Sequence, residues 1–226
     1  MRSSLQKQYS IEEMADNCWA ANRELLDRRW PMLARKLADS ADNIPAWEIV
    51  AEKEQTLVID GIQLTSSYNR GREAALQAAL VPPESSRAWI YGMALGDLPR
   101  ALLKRSSIEK LTVVILNPAI ALLSLSCCDH RDWLADPRVV LSLADGKTAP
   151  QKPFAAAPGC LLLAEEQAAP LRDRIFLELA TPFIHSKHQE SPQILARLEA
   201  NSRLVAQDGD VAELFGSRQK QSLVVA

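Results

Sequence analysis

Between residues 87 and 146, three continuously apolar runs alternate with two helix-forming runs, and few architectures satisfy that order. The apolar runs are Ala88-Trp89-Ile90-Tyr91, Leu111 to Leu116 and Val139 to Leu143, separated by Pro99 to Arg105 and Pro118 to Cys127. A strand with one wet face alternates apolar and polar residues, whereas a run that is apolar throughout is covered on both sides. With a helix between successive strands, the arrangement predicted is a parallel sheet with helices on both faces. This is the Rossmann-like β-α-β-α-β unit of the α/β class.

The flanks are read the same way. Ser10 and Glu13 form a capping box, and Ile11, Met14, Cys18, Ala21 and Leu25 recur at helical spacing, which predicts a helix from about Ile11 to Arg29. Pro31 suits the first turn of a second helix carrying Met32, Leu33 and Leu37. Trp47, Ile49 and Ala51 alternate with polar residues, and Leu57-Val58-Ile59 runs into Asp60-Gly61 with Ile62 and Leu64 beyond, predicting a small antiparallel β-hairpin. Gly71 to Leu80 reads as a helix stopped by Pro82 and Pro83. Gly146 to Gly159 reads as an irregular loop, Cys160 to Leu163 as a further strand, and about Gln167 to Phe183 and Pro192 to Ala206 as helices. The organisation expected is 1–85 for the N-terminal helices and hairpin, 86–215 for the Rossmann-like domain with C-terminal helices, and 216–226 for a tail.

Charge and composition exclude some functions. Lys and Arg number 26 against 28 Asp and Glu, a net charge of −2 without long runs of one sign, which argues against nucleic acid and anionic membrane as partners. No window approaches the roughly 20 apolar residues of a membrane span, and the N-terminus has no signal-like apolar stretch. The four cysteines form no CxxC pair, and reduced thiols fit a cytoplasmic protein. They read as small apolar side chains in the core.

The segment able to carry chemistry is Ile90-Tyr91-Gly92-Met93-Ala94-Leu95-Gly96-Asp97, which leaves a strand and opens a helix. Glycines there let backbone approach a ligand. A dinucleotide fingerprint needs three glycines and an acid about 20 residues on. This chain has Gly92 and Gly96 with Ala94 between them, and Asn117 where the acid belongs. Asp97 at the helix start disfavours phosphate, so an adenosyl ligand such as S-adenosylmethionine is preferred over nucleotides. Asp145 follows the third strand at the carboxyl edge. Gly92, Ala94, Gly96, Asp97, Asn117 and Asp145 are thus the candidate cofactor-binding residues, and no catalytic or metal-binding set emerges. His185 and His188 lack a third metal ligand, Glu165-Glu166 reads as a helix start, and His130 between Asp129 and Asp132 reads as a solvated or capping residue.

Four stretches resemble the N-terminal region of the motility accessory factor (Maf) family, bacterial glycosyltransferases that place nonulosonic acids on flagellin. Asp60-Gly61 with Ser66, Tyr68, Glu73 and Ala74 is similar to an Asn-Gly turn and Ser-x-Tyr-Asp-Pro-x-x-Glu-Ala segment of the family, with Asn69 and Arg70 departing. Tyr91 to Gly96 resembles its strand-turn-helix, and Val113 to Pro118 a strand that there ends in Glu-Pro, followed by Asp136 to Val139 leading to the third strand. Asp210 to Gly216 looks like the linker to the catalytic core, and Ser222 to Ala226 like that core's first strand. The resemblance implies a non-catalytic N-terminal domain or truncated member that binds a partner, flagellin or another glycosylation protein, or positions substrate. By itself the chain is then expected to transfer no sugar and Leu223 to Val225 to fray or pair elsewhere. The alternative is a methyltransferase-like enzyme binding S-adenosylmethionine or a nucleotide, weakly, since Asn117 replaces the acid.

Overall fold

The computed structural model describes residues 18–188, 196–197 and 199–201. The Ser10–Glu13 capping box, most of the Pro192 to Ala206 segment and the 216–226 tail lie outside them. The chain divides into two compact units, Met1–Ile175 and Phe176–Ala226, and the first holds both sheets. No helix among the described residues is long and apolar enough to cross a membrane.

Helix α1 (Cys18–Arg29) and helix α2 (Pro31–Ala38) meet at Trp30, with Pro31 in the first turn of α2. Strands β1 (Trp47–Ala51), β2 (Gln55–Ile59) and β3 (Ile62–Gln63) form an antiparallel sheet. The expected hairpin is therefore a three-stranded meander, and its Asp60-Gly61 turn has φ of +47° and +77°, matching a twisted two-residue turn. Helix α3 (Arg70–Ala78) follows, capped by the Asn69 side chain accepting from Arg72 N at 2.7 Å.

The Rossmann-like unit is present. Strands β4 (Arg87–Tyr91), β5 (Lys110–Ile115) and β6 (Val139–Leu143) are parallel neighbours, linked through helices α4 (Asp97–Leu103), α5 (Pro118–Cys127) and the short α6 (Arg131–Leu134). Two expectations further on need correction. The Gly146–Gly159 stretch contains a fourth strand, β7 (Phe154–Ala156), parallel to β4, giving the order β6-β5-β4-β7. Cys160–Leu163 is not a strand: residues Pro158–Leu162 form helix α7, because Pro158 supplies a preset helical φ at the first position. Four apolar residues are too short a run to separate strand from helix by pattern. Helix α8 (Ala169–His188) follows a 3₁₀ turn at Glu166–Ala168.

The strand residues alternate between two apolar clusters. Ala88, Ile90, Leu111, Val113, Val139 and Leu141 pack with Leu98 and Leu102 of α4, Leu125 of α5, Leu26 of α1 and Leu37 of α2. The segment before residue 86 thus contributes to the core of the sheet. The other face pairs Tyr91, Val114 and Ala156 with Leu57, Ile59 and Leu64 of the meander, Leu161 of α7, and Leu171 and Ile175 of α8. Among the described residues that second cover is incomplete. It closes over the carboxyl half, while Arg87, Lys110 and Val140 at the amino half are exposed and Trp89 and Thr112 are half-buried.

Candidate functional site

The carboxyl edge of β4 and β5 is where an open parallel sheet would hold a ligand. The turn after β4 is tightly coiled, with Gly92 at φ +86°, Ala94 at +43° and Gly96 at +84°. An L side chain rarely adopts that region, so the glycines are required by backbone, and Ala94 bears some strain. The turn is closed by Gly92 N donating to Val114 O at 2.9 Å and Gly96 N to Met93 O at 2.9 Å.

The space that glycine leaves is filled by protein. A Cβ on Gly92 would overlap Cys160 Cβ and lie 3.5 Å from Ala157 Cβ. Helix α7 therefore lies directly against the glycine that would admit a cofactor. A Cβ on Gly96 would meet Arg100 Nη1 and His130 Nδ1 at 2.7 Å and Trp133 Nε1 at 2.8 Å. Both glycines serve close packing, and the remaining cavity beside Gly92, Ala94, Asn117 and Cys160 is about 10 Å³. That is room for about one water and far short of an adenosyl group.

The polar candidates are engaged by the fold. Asn117 caps α5, accepting from Ala119 N at 3.0 Å and Ile120 N at 3.3 Å, and its amide donates to Leu163 O at 2.8 Å. Asp97 forms an ion pair with Arg70, Nη2–Oδ2 2.7 Å and Nε–Oδ2 2.9 Å, both side chains mostly buried. Its charge is therefore compensated by a residue that departs from the Maf pattern. Asp145 stands apart on the exposed loop, accepting from Lys147 N, Thr148 N and Thr148 Oγ1 at 2.8–3.0 Å, bonds that hold its carboxyl below the usual range. So Gly92, Ala94 and Asn117 share one small cavity, Gly96 and Asp97 face other side chains, and Asp145 belongs to its own turn.

The polar centre that sequence reasoning missed lies under the turn. His130 is fully buried, not solvated. Its Nδ1 accepts from Trp133 Nε1 at 3.0 Å, so the neutral ring carries its proton on Nε2, facing Ser124 Oγ at 3.1 Å and Ser124 O at 3.2 Å. Burial first, and the Arg100 guanidinium second, push its pKa down to about 4. Ser124 Oγ in turn donates to Ala94 O, and Asn22 of α1 accepts from His130 N at 2.9 Å while donating to Leu125 O and Cys128 O at 2.7 Å. The signal available in the sequence is Asn22 itself, one helical turn from Cys18 and from Leu26 on the inward stripe of α1.

Nucleophilic chemistry has no support among the described residues. All four cysteines are free, and burial pushes the Cys127 and Cys160 thiols up to about 12. No group of three metal-ligating side chains occurs among the described residues, and the side chains of His185 and His188 lie outside them. Glu165 donates its N–H to Leu116 O, and Glu166 opens the 3₁₀ turn before α8.

No family model matches the sequence, and no curated protein matches it. Solved structures resemble part of it. A spermidine synthase in complex with the transition-state analogue AdoDATO is 21% identical, with TM-score 0.36 over 46% of this chain and 38% of that one. Spermidine synthase from Thermotoga maritima is 17% identical, with TM-score 0.37 over 50% and 44%. A Maf glycosyltransferase from Magnetospirillum magneticum AMB-1 is 16% identical, with TM-score 0.43 over 57% and 27%. The chain spans less than half the length of each of these proteins, and the likeness to each is weak.

Proposed function

We propose that this chain is a non-catalytic, Rossmann-like domain of a Maf-type flagellin glycosylation protein, binding a partner or positioning substrate. Flagellin or another glycosylation protein is the partner this reading implies. The observation that carries the non-catalytic part is the packing of Gly92 on Cys160. The position where a methyltransferase-like domain admits its adenosyl group is occupied by α7, and Asn117 is committed to Leu163 and the α5 cap. The Maf part rests on the sequence stretches around Asp60, Tyr68, Gly92, Pro118 and Asp210. The second reading, an S-adenosylmethionine- or nucleotide-binding enzyme, keeps in its favour the left-handed turn Gly92 to Gly96 at a carboxyl edge.

Calorimetric titration with S-adenosylmethionine, S-adenosylhomocysteine, ATP and a nucleotide-sugar separates the two. The outcome expected is no binding tighter than about 1 mM, that is, weaker than about −4 kcal/mol. Asn117→Glu restores the acid but removes a cap worth about 1 kcal/mol, so the variant should melt lower and still bind none of the four. Sub-micromolar binding of S-adenosylmethionine by the unaltered protein overturns this reading in favour of the enzyme.

A further inference from the structure

The sheet register aligns three rows on the incompletely covered face. The inner row, Ala156-Tyr91-Val114-Ser142, lies toward the carboxyl edge, where α7 and the start of α8 close over the sheet. The middle row is Phe154-Trp89-Thr112-Val140, in which Trp89 and Thr112 are half-buried and Val140 is 36% exposed. In the outer row Arg87 and Lys110 are direct register partners, both exposed. On adjacent strands such residues sit about 4.8 Å apart, and like charges at that separation work against the pairing.

Neither cation has an ion pair among the described residues. Several other guanidinium groups of the unit are engaged: Arg70 holds Asp97, Arg100 holds Asp132, Arg138 holds Asp136, and Arg29 serves the carbonyls of Leu134, Asp136 and Val139. The next strand begins beside this pair at Arg138, whose carbonyl accepts from Leu111 N. A parallel sheet ordinarily has both faces covered by another layer. Here half of one face ends in an aromatic and a valine, rimmed by two unneutralised positive charges.

We propose that this half-face is a docking surface for an acidic, amphipathic segment of a partner protein. Its carboxylates meet Arg87 and Lys110, and its apolar side lies on Trp89, Thr112 and Val140. A protein segment fits better than nucleic acid because only two cations pair at this register position, and exposed Glu84 and Glu109 lie close to them in the chain. Two cations match one or two carboxylates, whereas a polyanion is held through a longer run of phosphate contacts. The inference rests on the reading of this chain as a partner-binding domain. It depends on the amino half of the sheet alone, so the cofactor titrations and the peptide titration fail independently.

The probe is a fluorescein-labelled synthetic peptide with Glu at i, i+4 spacing on one helical face and Leu on the other, titrated with the full chain by anisotropy at low salt. The controls are the same peptide with Lys for Glu, and a single-stranded oligonucleotide. Saturable binding of the acidic peptide is expected, weakened roughly tenfold or more by Arg87→Glu with Lys110→Glu, and weakened further by added salt. Val140→Ser, on an exposed position, should weaken it severalfold. Both variants should keep the wild-type circular dichroism and remain fully folded at the titration temperature, which shows that lost binding is not lost folding. The proposal is overturned if the acidic peptide does not bind, if the Lys peptide binds equally well, or if charge reversal leaves binding unchanged. It is also overturned by tighter binding of the oligonucleotide, which would make the face a nucleic-acid surface. Sedimentation of the free chain as a dimer that charge reversal dissociates would assign the face to a second copy and equally overturn it.

Discussion

The two faces of the parallel sheet are built from the same strands yet finished differently. On one face Ala88, Ile90, Leu111, Val113, Val139 and Leu141 are all 6% exposed or less, under α1, α2, α4 and α5. On the other, burial is complete at Tyr91, Val114 and Ala156 and gives way to exposed Arg87, Lys110 and Val140 toward the amino ends of the strands. Crossover helices cover a sheet as a by-product of parallel connection, whereas the opposite face depends on whatever else the chain supplies. Here α5 reaches into it through Ile120 and Leu123, and among the described residues the meander, α7 and the first turns of α8 supply the rest, enough for the carboxyl half.

The largest effect that tests this contrast is a paired truncation. Leu111→Ala should cost about 3 kcal/mol in urea unfolding, since the side chain is fully buried and the cavity is walled by several helices. Val140→Ala, on the neighbouring strand and the open face, should cost less than about 1 kcal/mol. Equal costs would mean that the second face is covered in solution.

The covered side also contains the buried His130 centre, which gives it a pH dependence. The ring's pKa is about 4 folded against 6.5 for the unperturbed group, so between those values the unfolded chain takes up a proton that the folded chain refuses. The contribution is therefore fully present above pH 6.5 and is lost as pH falls toward 4, by up to roughly 3 kcal/mol. Chemical denaturation of wild type and His130→Gln at pH 7 and pH 4.5 should show a steeper loss for the wild type. Parallel pH dependences would place the histidine's influence elsewhere.

Much of the fold is legible in the sequence, and the exceptions have physical reasons. β4, β5, β6 and α5 can be read because each is a largely apolar run with a helix or turn signal at its ends. β7 cannot, since Phe-Ala-Ala between two prolines carries neither β-branching nor length, and it is a strand only because β4 offers a free edge. The candidate site is legible as a turn but not as an occupied one. Nothing in Gly92 or Gly96 says whether a ligand or a cysteine sits behind it, because that partner lies 68 residues away along the chain, at 160 − 92. His130 is misread by pattern because flanking aspartates suggest solvent, while the groups that bury it, Asn22 and Trp133, come from separate helices.

The smallest effect concerns the open side. Lys110→Glu turns a like-charge neighbour of Arg87 into an opposite one, and should raise stability by about 0.2–1 kcal/mol at low salt, fading as salt is added. A loss of stability would show that Lys110 is held by the fold and is not spare.

Asn22 has a consequence for how the chain is made. Its acceptors, Leu125 O and Cys128 O, lie 103 and 106 residues downstream. During synthesis at about 5–20 residues per second, α1 emerges roughly 5–20 s before the loop that fastens it exists. Through that interval Leu26 can be covered only by the earlier-made parts of its cluster, such as Leu33 and Leu37 of α2, while Asn22 lacks both carbonyls and the His130 N–H. The polar junction that fastens α1 thus forms later than the apolar contacts α1 shares with α2.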